Sequence, residues 1–150
     1  MPQSLAKIYV HLIFGTKNRQ GWLEDSVREE LHSYLAAILK NWESPAQKIG
    51  SAADHIHILF MLSKNHPVSK IAEEIKKSSS KWLKTKDGIN PKFQWQNGYG
   101  AFSMSQSKVE DVKQYIENQQ EHHRKESFQE EFRRFLKAYN INFDEKYVWD

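Results

Sequence analysis

Two histidines one residue apart, His55 and His57, are the feature of the sequence best suited to chemistry. They open the apolar segment His55–Leu62, which is typical of a buried strand. Side chains two residues apart on a strand share a face, with their Cα atoms roughly 6.6 Å apart. Both imidazoles can therefore converge on one cation while Ile56 packs on the opposite face. A chance pair that only packs is the competing interpretation, and a tight metal site needs at least one further ligand.

Tyr115 and Gln119 form a second pattern, on a segment predicted to be helical. Residues four apart lie on one helix face, with Cβ atoms about 5–6 Å apart. Val112 and Ile116 form the adjoining apolar stripe, so Tyr115 and Gln119 flank the buried side of the helix. A buried amide needs a hydrogen-bond partner, and for Gln119 a metal ion or a backbone group would serve. For Tyr115, a core aromatic is the competing interpretation.

Positive charge is concentrated in the first part of the chain. Residues 1–86 hold 13 Lys and Arg against 8 Asp and Glu, a net charge of +5, and residues 87–150 hold 9 against 11, a net charge of −2. This asymmetry is compatible with a polyanionic partner, although a solvated lysine-rich helix face gives the same pattern and is the favoured interpretation of the charge alone. The candidate residues for contact with such a partner lie in a turn-rich loop and on a lysine-rich segment: Lys17, Arg19, Lys76 and Lys77.

Composition excludes several classes of protein. The 150 residues predict one domain, residues 1–150. The absence of cysteine excludes disulfides, thiolate zinc sites and cysteine nucleophiles. No stretch reaches the ~20 apolar residues of a membrane span, and no signal peptide precedes the first strand, so we expect a cytoplasmic protein without membrane contact. No Walker loop is present, so we expect no nucleotide cofactor.

The pattern of apolar residues predicts an α+β fold. Alternating strands and helices follow the order β-α-β-β-α-β, which is typical of an antiparallel ferredoxin-like or RRM-like core. Two helices are expected after this core, the first of which Ser107 caps with Glu110 in a capping box. The predicted parts are a core at about 5–105, a helix carrying Tyr115 at about 107–124, and a C-terminal helix and tail at about 127–150.

Other histidines and tryptophans have less definite predictions. His11, on the first strand, either supports a metal site or simply packs. His122 and His123 are expected to be exposed near a helix end. Trp22 and Trp82 could stack on nucleic-acid bases, but packing in the core is the favoured interpretation.

These features together resemble the HUH single-tyrosine transposases of small bacterial and archaeal insertion sequences. The resemblance rests on His55-Ile56-His57 and on the later segment with Tyr115 and Gln119, and it extends over nearly the whole chain. Ala53 departs from many relatives, which have proline before the Asp-His pair; it occupies a turn position. Further similar segments are His11–Phe14, Thr16–Arg19, Phe93–Tyr99 and the ending from Phe132 to Trp149.

The resemblance implies a function and roles for these residues. Tyr115 would attack a phosphodiester of single-stranded DNA, forming a 5′-phosphotyrosine link, and His55, His57 and Gln119 would bind Mg²⁺ or Mn²⁺. The DNA would carry a hairpin at the ends of the insertion sequence, and the candidate DNA-binding residues are Lys17, Arg19, Lys76 and Lys77. The family also forms homodimers, whose joined sheets allow the tyrosine helix to dock on its own subunit or on the partner.

Two alternatives remain at this stage. A domesticated relative would perform the same chemistry on repeats of host DNA. A non-catalytic module could instead bind single-stranded nucleic acid on its sheet, as RRM domains do. The third strand, His55–Leu62, lacks the basic and aromatic signature of an RRM, which makes this second alternative the weaker one.

Overall fold

The computed structural model describes residues 2–119 and 125–150. No helix within these ranges is long and apolar enough to cross a membrane. The bounds of the strands and helices are β1 Ile8–Gly15, α1 Asp25–Asn41, β2 Ala46–Ser51, β3 His55–Leu62, α2 Val68–Leu83, β4 Gly100–Met104, α3 Val109–Glu117 and α4 Phe128–Ala138.

The four strands form one antiparallel sheet in the order β2-β3-β1-β4. The two central strands, β1 and β3, are the most apolar, as burial on both faces requires. Their register places Gly15 opposite His55 and Ile13 opposite His57. The predicted α+β fold with a βαββαβ core is therefore confirmed.

The two faces of the sheet are packed in different ways. On one face α1 and α2 cover the main core, because the period of two along each strand places one set of apolar side chains there. On the other face α3 and α4 cover two smaller clusters and the histidine pair. The main core contains Val10, Leu12, Phe14, Ile56, Ile58 and Phe60 from the sheet; the smaller clusters contain Ile13, Phe102, Phe128, Phe132 and Leu136, and Tyr9, Leu59, Val109 and Ile116.

Three glycines on three different strands allow α3 and α4 to approach this second face closely. At each of them, an added Cβ would overlap an atom of a residue in α3 or α4. The helices are therefore seated at positions where the sheet has no side chain. The distances from the ideal Cβ are 2.6 Å from Gly50 to the carbonyl oxygen of Ile116, 2.6 Å from Gly15 to Phe128 Cε2, and 2.9 Å from Gly100 to Phe132 Cε2.

Substitution of Gly50 by alanine should displace α3. The new methyl group would overlap the backbone of Ile116, which cannot move aside as a side-chain end can. We expect Gly50→Ala to destabilise the protein by about 1–3 kcal/mol, as overpacked sites do. Gly21→Ala is the matched control, because its nearest neighbour, Ala53 Cβ, is at 3.7 Å. Urea unfolding of both variants checks this, and equal stabilities would contradict the close seating of α3.

The helix that carries Tyr115 is shorter than predicted. It begins at Val109 rather than at about residue 107, because the chain enters it through a 3₁₀ turn, Gln106–Lys108. The capping box predicted for Ser107 and Glu110 is wrong: no side chain caps this helix, and Ser107 bonds to Ser105 instead. The regular helix ends at Glu117, and the predicted positions of His122 and His123 lie outside the described residues.

Candidate active site

The two histidines of β3 meet a carboxylate from α4. His55 and His57 are fully buried, and Glu131 is 2% exposed. Oε1 of Glu131 lies 3.2 Å from Nε2 of His55 and 2.9 Å from Nε2 of His57. In the described ranges, these three residues form a group whose potential ligand atoms all lie within 4.8 Å of one another. The structure thus assembles two imidazoles and a carboxylate, which the sequence spacing alone did not predict.

The other ring nitrogen of each histidine also has a partner. Nδ1 of His55 lies 2.8 Å from Asp54 Oδ1, and Nδ1 of His57 lies 2.8 Å from Nε2 of His11. Such contacts fix ring orientation, so that Nε2 of each histidine is the nitrogen that faces Glu131 and could bind a metal. His11 therefore supports the histidine pair, which is one of the two roles considered for it. Two nitrogens and one carboxylate oxygen suit a divalent cation such as Mn²⁺, so the residues present fit the implied metal.

Tyr115 lies against the same carboxylate. Its hydroxyl donates a hydrogen bond to Oε2 of Glu131 and accepts one from Nη2 of Arg134 at 2.6 Å. The rings of Tyr115 and His57 have centroids 6.0 Å apart. The tyrosine and the histidine pair of one chain are thus brought together, with α3 docked on its own sheet.

Burial and charge set the protonation states at this cluster. Burial would raise the pKa of Glu131, but hydrogen bonds from His55 and His57 hold it well below its ordinary value. The pKa of Tyr115 is raised well above its ordinary value, first by burial and then by the negative charge of Glu131. Burial and the neighbouring His57 lower the pKa of His11. In this arrangement Glu131 is an anion, Tyr115 a neutral phenol and His11 a neutral imidazole.

Gln119 is a buried residue at the edge of a cleft. Its side chain is 2% exposed, and within the described part of the chain neither amide atom has a hydrogen-bond partner. It lines a cleft of about 710 Å³ between α1, β2 and the end of α3, together with Arg28 and His32. Its role as a metal ligand stays a prediction.

Glu131 was missed because the C-terminal helix was interpreted only through its apolar stripe. Glu131 lies three residues after Phe128 and four before Phe135, so it shares their face of the helix. Acidic residues are almost never fully buried without a partner. An acidic residue inside an apolar stripe was therefore the available signal that a cation or a hydrogen-bond partner faces it.

Three of the four predicted DNA-binding residues border one groove. Lys17, Lys76 and Lys77 line a cavity of about 530 Å³, together with Trp95 and Tyr99. Arg19 is exposed in the 3₁₀ turn after β1 but does not line this groove. The turn follows Gly15, the partner of His55 in the sheet, so the groove begins near the end of the sheet that carries the histidine pair.

Lys76 is used within the chain rather than left for a ligand. Its ammonium group donates to the carbonyl oxygens of Gln96, Asn97 and Gly98 at 2.7, 3.0 and 2.6 Å. Burial lowers its pKa to about 8. Lys76 therefore fixes the loop before β4, and the exposed Lys17 and Lys77 are the better candidates for contact with DNA.

The two tryptophans considered for base stacking pack inside the protein. Trp22 and Trp82 are half-buried against the main core. Trp82 stacks on Tyr34 with ring centroids 4.7 Å apart. The favoured core interpretation is therefore the observed one.

Known proteins share both the sequence pattern and the fold. A family profile described as "Transposase IS200 like" matches residues 4–119. No curated protein is significantly similar to the chain. Two solved structures have a similar fold: a protein of Deinococcus radiodurans R1 that is provisionally described as a transposase (24% identity, TM-score 0.58, 79% of this chain and 98% of that chain), and a REP-associated tyrosine transposase bound to a REP hairpin (15% identity, TM-score 0.60, 82% and 73%).

The matched region includes part of the site that the structure assembles and ends before Glu131. It spans most of the chain and includes both histidines of β3 and the tyrosine of α3. The matched fold, an antiparallel sheet covered by helices, is the one that the sequence pattern predicted. The protein therefore belongs to the family of IS200-like transposases.

Proposed function

We propose that the protein cleaves and rejoins single-stranded DNA at the ends of an insertion sequence, through a covalent 5′-phosphotyrosine link on Tyr115. One observation carries the proposal: Glu131 contacts the Tyr115 hydroxyl through one carboxylate oxygen and both histidine Nε2 atoms through the other. A nucleophile and a set of candidate metal ligands thus share one cluster, as phosphodiester chemistry requires.

The chemistry assigned to Tyr115 is a transesterification. Its hydroxyl oxygen forms a bond to phosphorus while the bond from phosphorus to the 3′-oxygen breaks, which leaves a free 3′-hydroxyl. The phosphotyrosine ester conserves the energy of the broken bond. Attack on it by a 3′-hydroxyl rejoins the DNA and releases Tyr115, so no nucleotide cofactor is needed.

We assign Mg²⁺ or Mn²⁺ to the site, where His55, His57 and Glu131 would hold it. Nitrogen ligands favour Mn²⁺ in affinity. When bound, a divalent cation supplies positive charge that offsets the charge developing on the phosphate. Gln119, the third ligand implied by the family resemblance, is the alternative to Glu131.

We assign the DNA to the groove lined by Lys17, Lys76 and Lys77. Lys17 and Lys77 would contact the DNA phosphates, and Arg19 would lie beside the DNA. Lys76 would fix the loop at the wall of the groove. The similar REP-associated transposase is bound to a DNA hairpin, which supports a hairpin in the DNA of this protein as well. Transposition joins two DNA ends, so we assign a homodimer as the working unit, each chain holding one site.

The test is incubation of the protein with single-stranded hairpin DNA taken from the sequences that flank its gene. With Mn²⁺ or Mg²⁺ we expect a protein–DNA adduct that survives denaturation. With EDTA, or with the same sequence as a continuous duplex, we expect none. Hairpin binding without any adduct would contradict the proposal and favour a non-catalytic binding module.

A transposase that serves host repeats is the second candidate, supported by the similar fold of the REP-associated transposase. Its chemistry at Tyr115 would be the same, so biochemical assays do not separate the two. The flanking DNA does: paired hairpin ends that bracket the gene indicate a mobile element, whereas dispersed hairpins elsewhere in the genome indicate the host role.

A further inference from the structure

Arg134, on α4, lies beside Tyr115 at the candidate active site. Its Nη2 donates a hydrogen bond to the hydroxyl oxygen of Tyr115 at 2.6 Å. The centre of its guanidinium lies 5.6 Å from the centroid of the Tyr115 ring and 5.2 Å from that of Phe135. Arg134 therefore touches the atom that would attack phosphorus.

The guanidinium is held in place by a second carboxylate. Nε and Nη2 of Arg134 donate to the two oxygens of Glu126 at 3.1 and 2.9 Å. This bidentate pairing fixes the plane of the guanidinium more firmly than a single contact would. The guanidinium of Arg134 is thus held by two groups, the Glu126 carboxylate and the Tyr115 hydroxyl.

The helix that carries Arg134 is itself docked on the site. Phe128 stacks on the ring of His55 with centroids 4.3 Å apart, and Phe132 lies against Gly100. Phe135 contacts both His11 and Tyr115. Arg134 is one turn after Glu131 on this helix, so the packing that places one of them also places the other.

The Arg134 side chain is also accessible, because 49% of its surface is exposed. Guanidinium groups match the oxygens of a phosphate in geometry as well as charge. When the Tyr115 oxygen bonds to phosphorus, the non-bridging oxygens of that phosphate come next to the group that already contacts Tyr115. Arg134 places a cation in that position.

We propose that Arg134 is a catalytic residue of strand cleavage, which donates to the Tyr115 oxygen and then binds the non-bridging oxygens of the scissile phosphate. The inference rests on the proposed function of Tyr115. The bond from Tyr115 to phosphorus forms as the bond to the 3′-oxygen breaks. The phenol proton leaves to solvent and a solvent proton completes the 3′-hydroxyl, so Arg134 stays charged throughout and acts by attraction alone.

The first test compares variants of Arg134 with one of its neighbour. Arg133 is the matched control, because it lies on the same helix but pairs with Glu145 at 2.6 and 3.0 Å. We expect Arg134→Met to slow adduct formation on hairpin DNA by about 100- to 1,000-fold, as loss of one stabilising donor does. Arg134→Lys should recover part of this rate, since lysine keeps the charge but not the fork geometry. Arg133→Met should react as the wild type does.

The second test separates a catalytic from a structural role. A methylphosphonate at the scissile position removes the negative oxygen that Arg134 would bind. With this substrate, we expect the loss caused by Arg134→Met to shrink by at least about tenfold, because the charge interaction is already absent. Guanidinium ion added to Arg134→Ala should restore part of the rate on the natural phosphodiester. Hairpin affinity and melting temperature measure any general damage to binding or folding.

The outcomes distinguish this inference from the function on which it rests. A wild-type adduct together with an unchanged rate in Arg134→Met overturns the role of Arg134 and leaves that of Tyr115 intact. Equal losses on the phosphodiester and the methylphosphonate also overturn it, because Arg134 would then act only on the structure of the protein. No adduct with the wild type overturns the proposed function itself, and this inference with it.

Discussion

Replacing Tyr115 with phenylalanine is expected to abolish the covalent protein–DNA adduct. The phenylalanine ring retains the packing on Phe135 and His57 but lacks the oxygen that would bond to phosphorus. Only one neutral side chain changes by one atom, so hairpin affinity should change by less than about threefold. The free energy of unfolding should fall by about 1 kcal/mol, because the hydrogen bonds to Glu131 and Arg134 are lost. Denaturing gel electrophoresis and hairpin titration measure the two effects.

Tyr139→Phe is the matched control for this experiment. Tyr139 is 43% exposed, and its hydroxyl donates to the backbone oxygen of Ser103 rather than to a side chain of the site. This variant should form the adduct at the wild-type rate. An adduct that persists in Tyr115→Phe, with the DNA mapped to another residue by peptide mass spectrometry, would show that Tyr115 is not the nucleophile.

Replacing Glu131 with alanine is expected to have the second large effect, a loss of metal affinity of at least about 100-fold. The substitution removes the carboxylate that faces both histidine Nε2 atoms and leaves two imidazoles, which are too few for a tight site. Mn²⁺ titration by calorimetry measures this without depending on activity. The variant also leaves buried nitrogens without a partner, at a cost of about 1–3 kcal/mol of stability.

Two further variants complete the metal experiment. Glu130→Gln is the matched control, because Glu130 is exposed on the same helix and should bind Mn²⁺ as the wild type does. Gln119→Ala tests the ligand implied by the family resemblance. If Gln119→Ala loses Mn²⁺ affinity and Glu131→Ala does not, the third ligand is Gln119 and the contact between Glu131 and the histidines exists only without metal.

The parts of the site that could be predicted from the sequence each lie within one strand or one helix. His55 and His57 share a strand, and the period of two places both side chains on one face of the sheet. Tyr115 stood out because it flanks the apolar stripe of a helix. The fold class followed from the alternation of strands and helices, for which the ferredoxin-like arrangement is a known solution.

The rest of the site depends on how α4 folds back across the sheet. Glu131 meets His57 from 74 residues away along the chain, and no local pattern specifies such a contact. No local pattern indicated that Lys76 would bond to the backbone of its own chain. Its position in a lysine-rich helix indicates a solvated charge, and only the path of the loop before β4 brings three carbonyl oxygens to it.

The placement of Glu131 and Arg134 one turn apart on α4 has a consequence for the charge balance of the site. A divalent cation held by neutral imidazoles and an amide keeps its full charge for the phosphate. A carboxylate ligand such as Glu131 binds the cation more tightly but reduces the charge left for the phosphate by one unit. Arg134 places a positive charge beside the Tyr115 oxygen. Because Glu126 pairs with this guanidinium, Arg134 offsets only part of the attraction for the DNA backbone that a carboxylate ligand would remove.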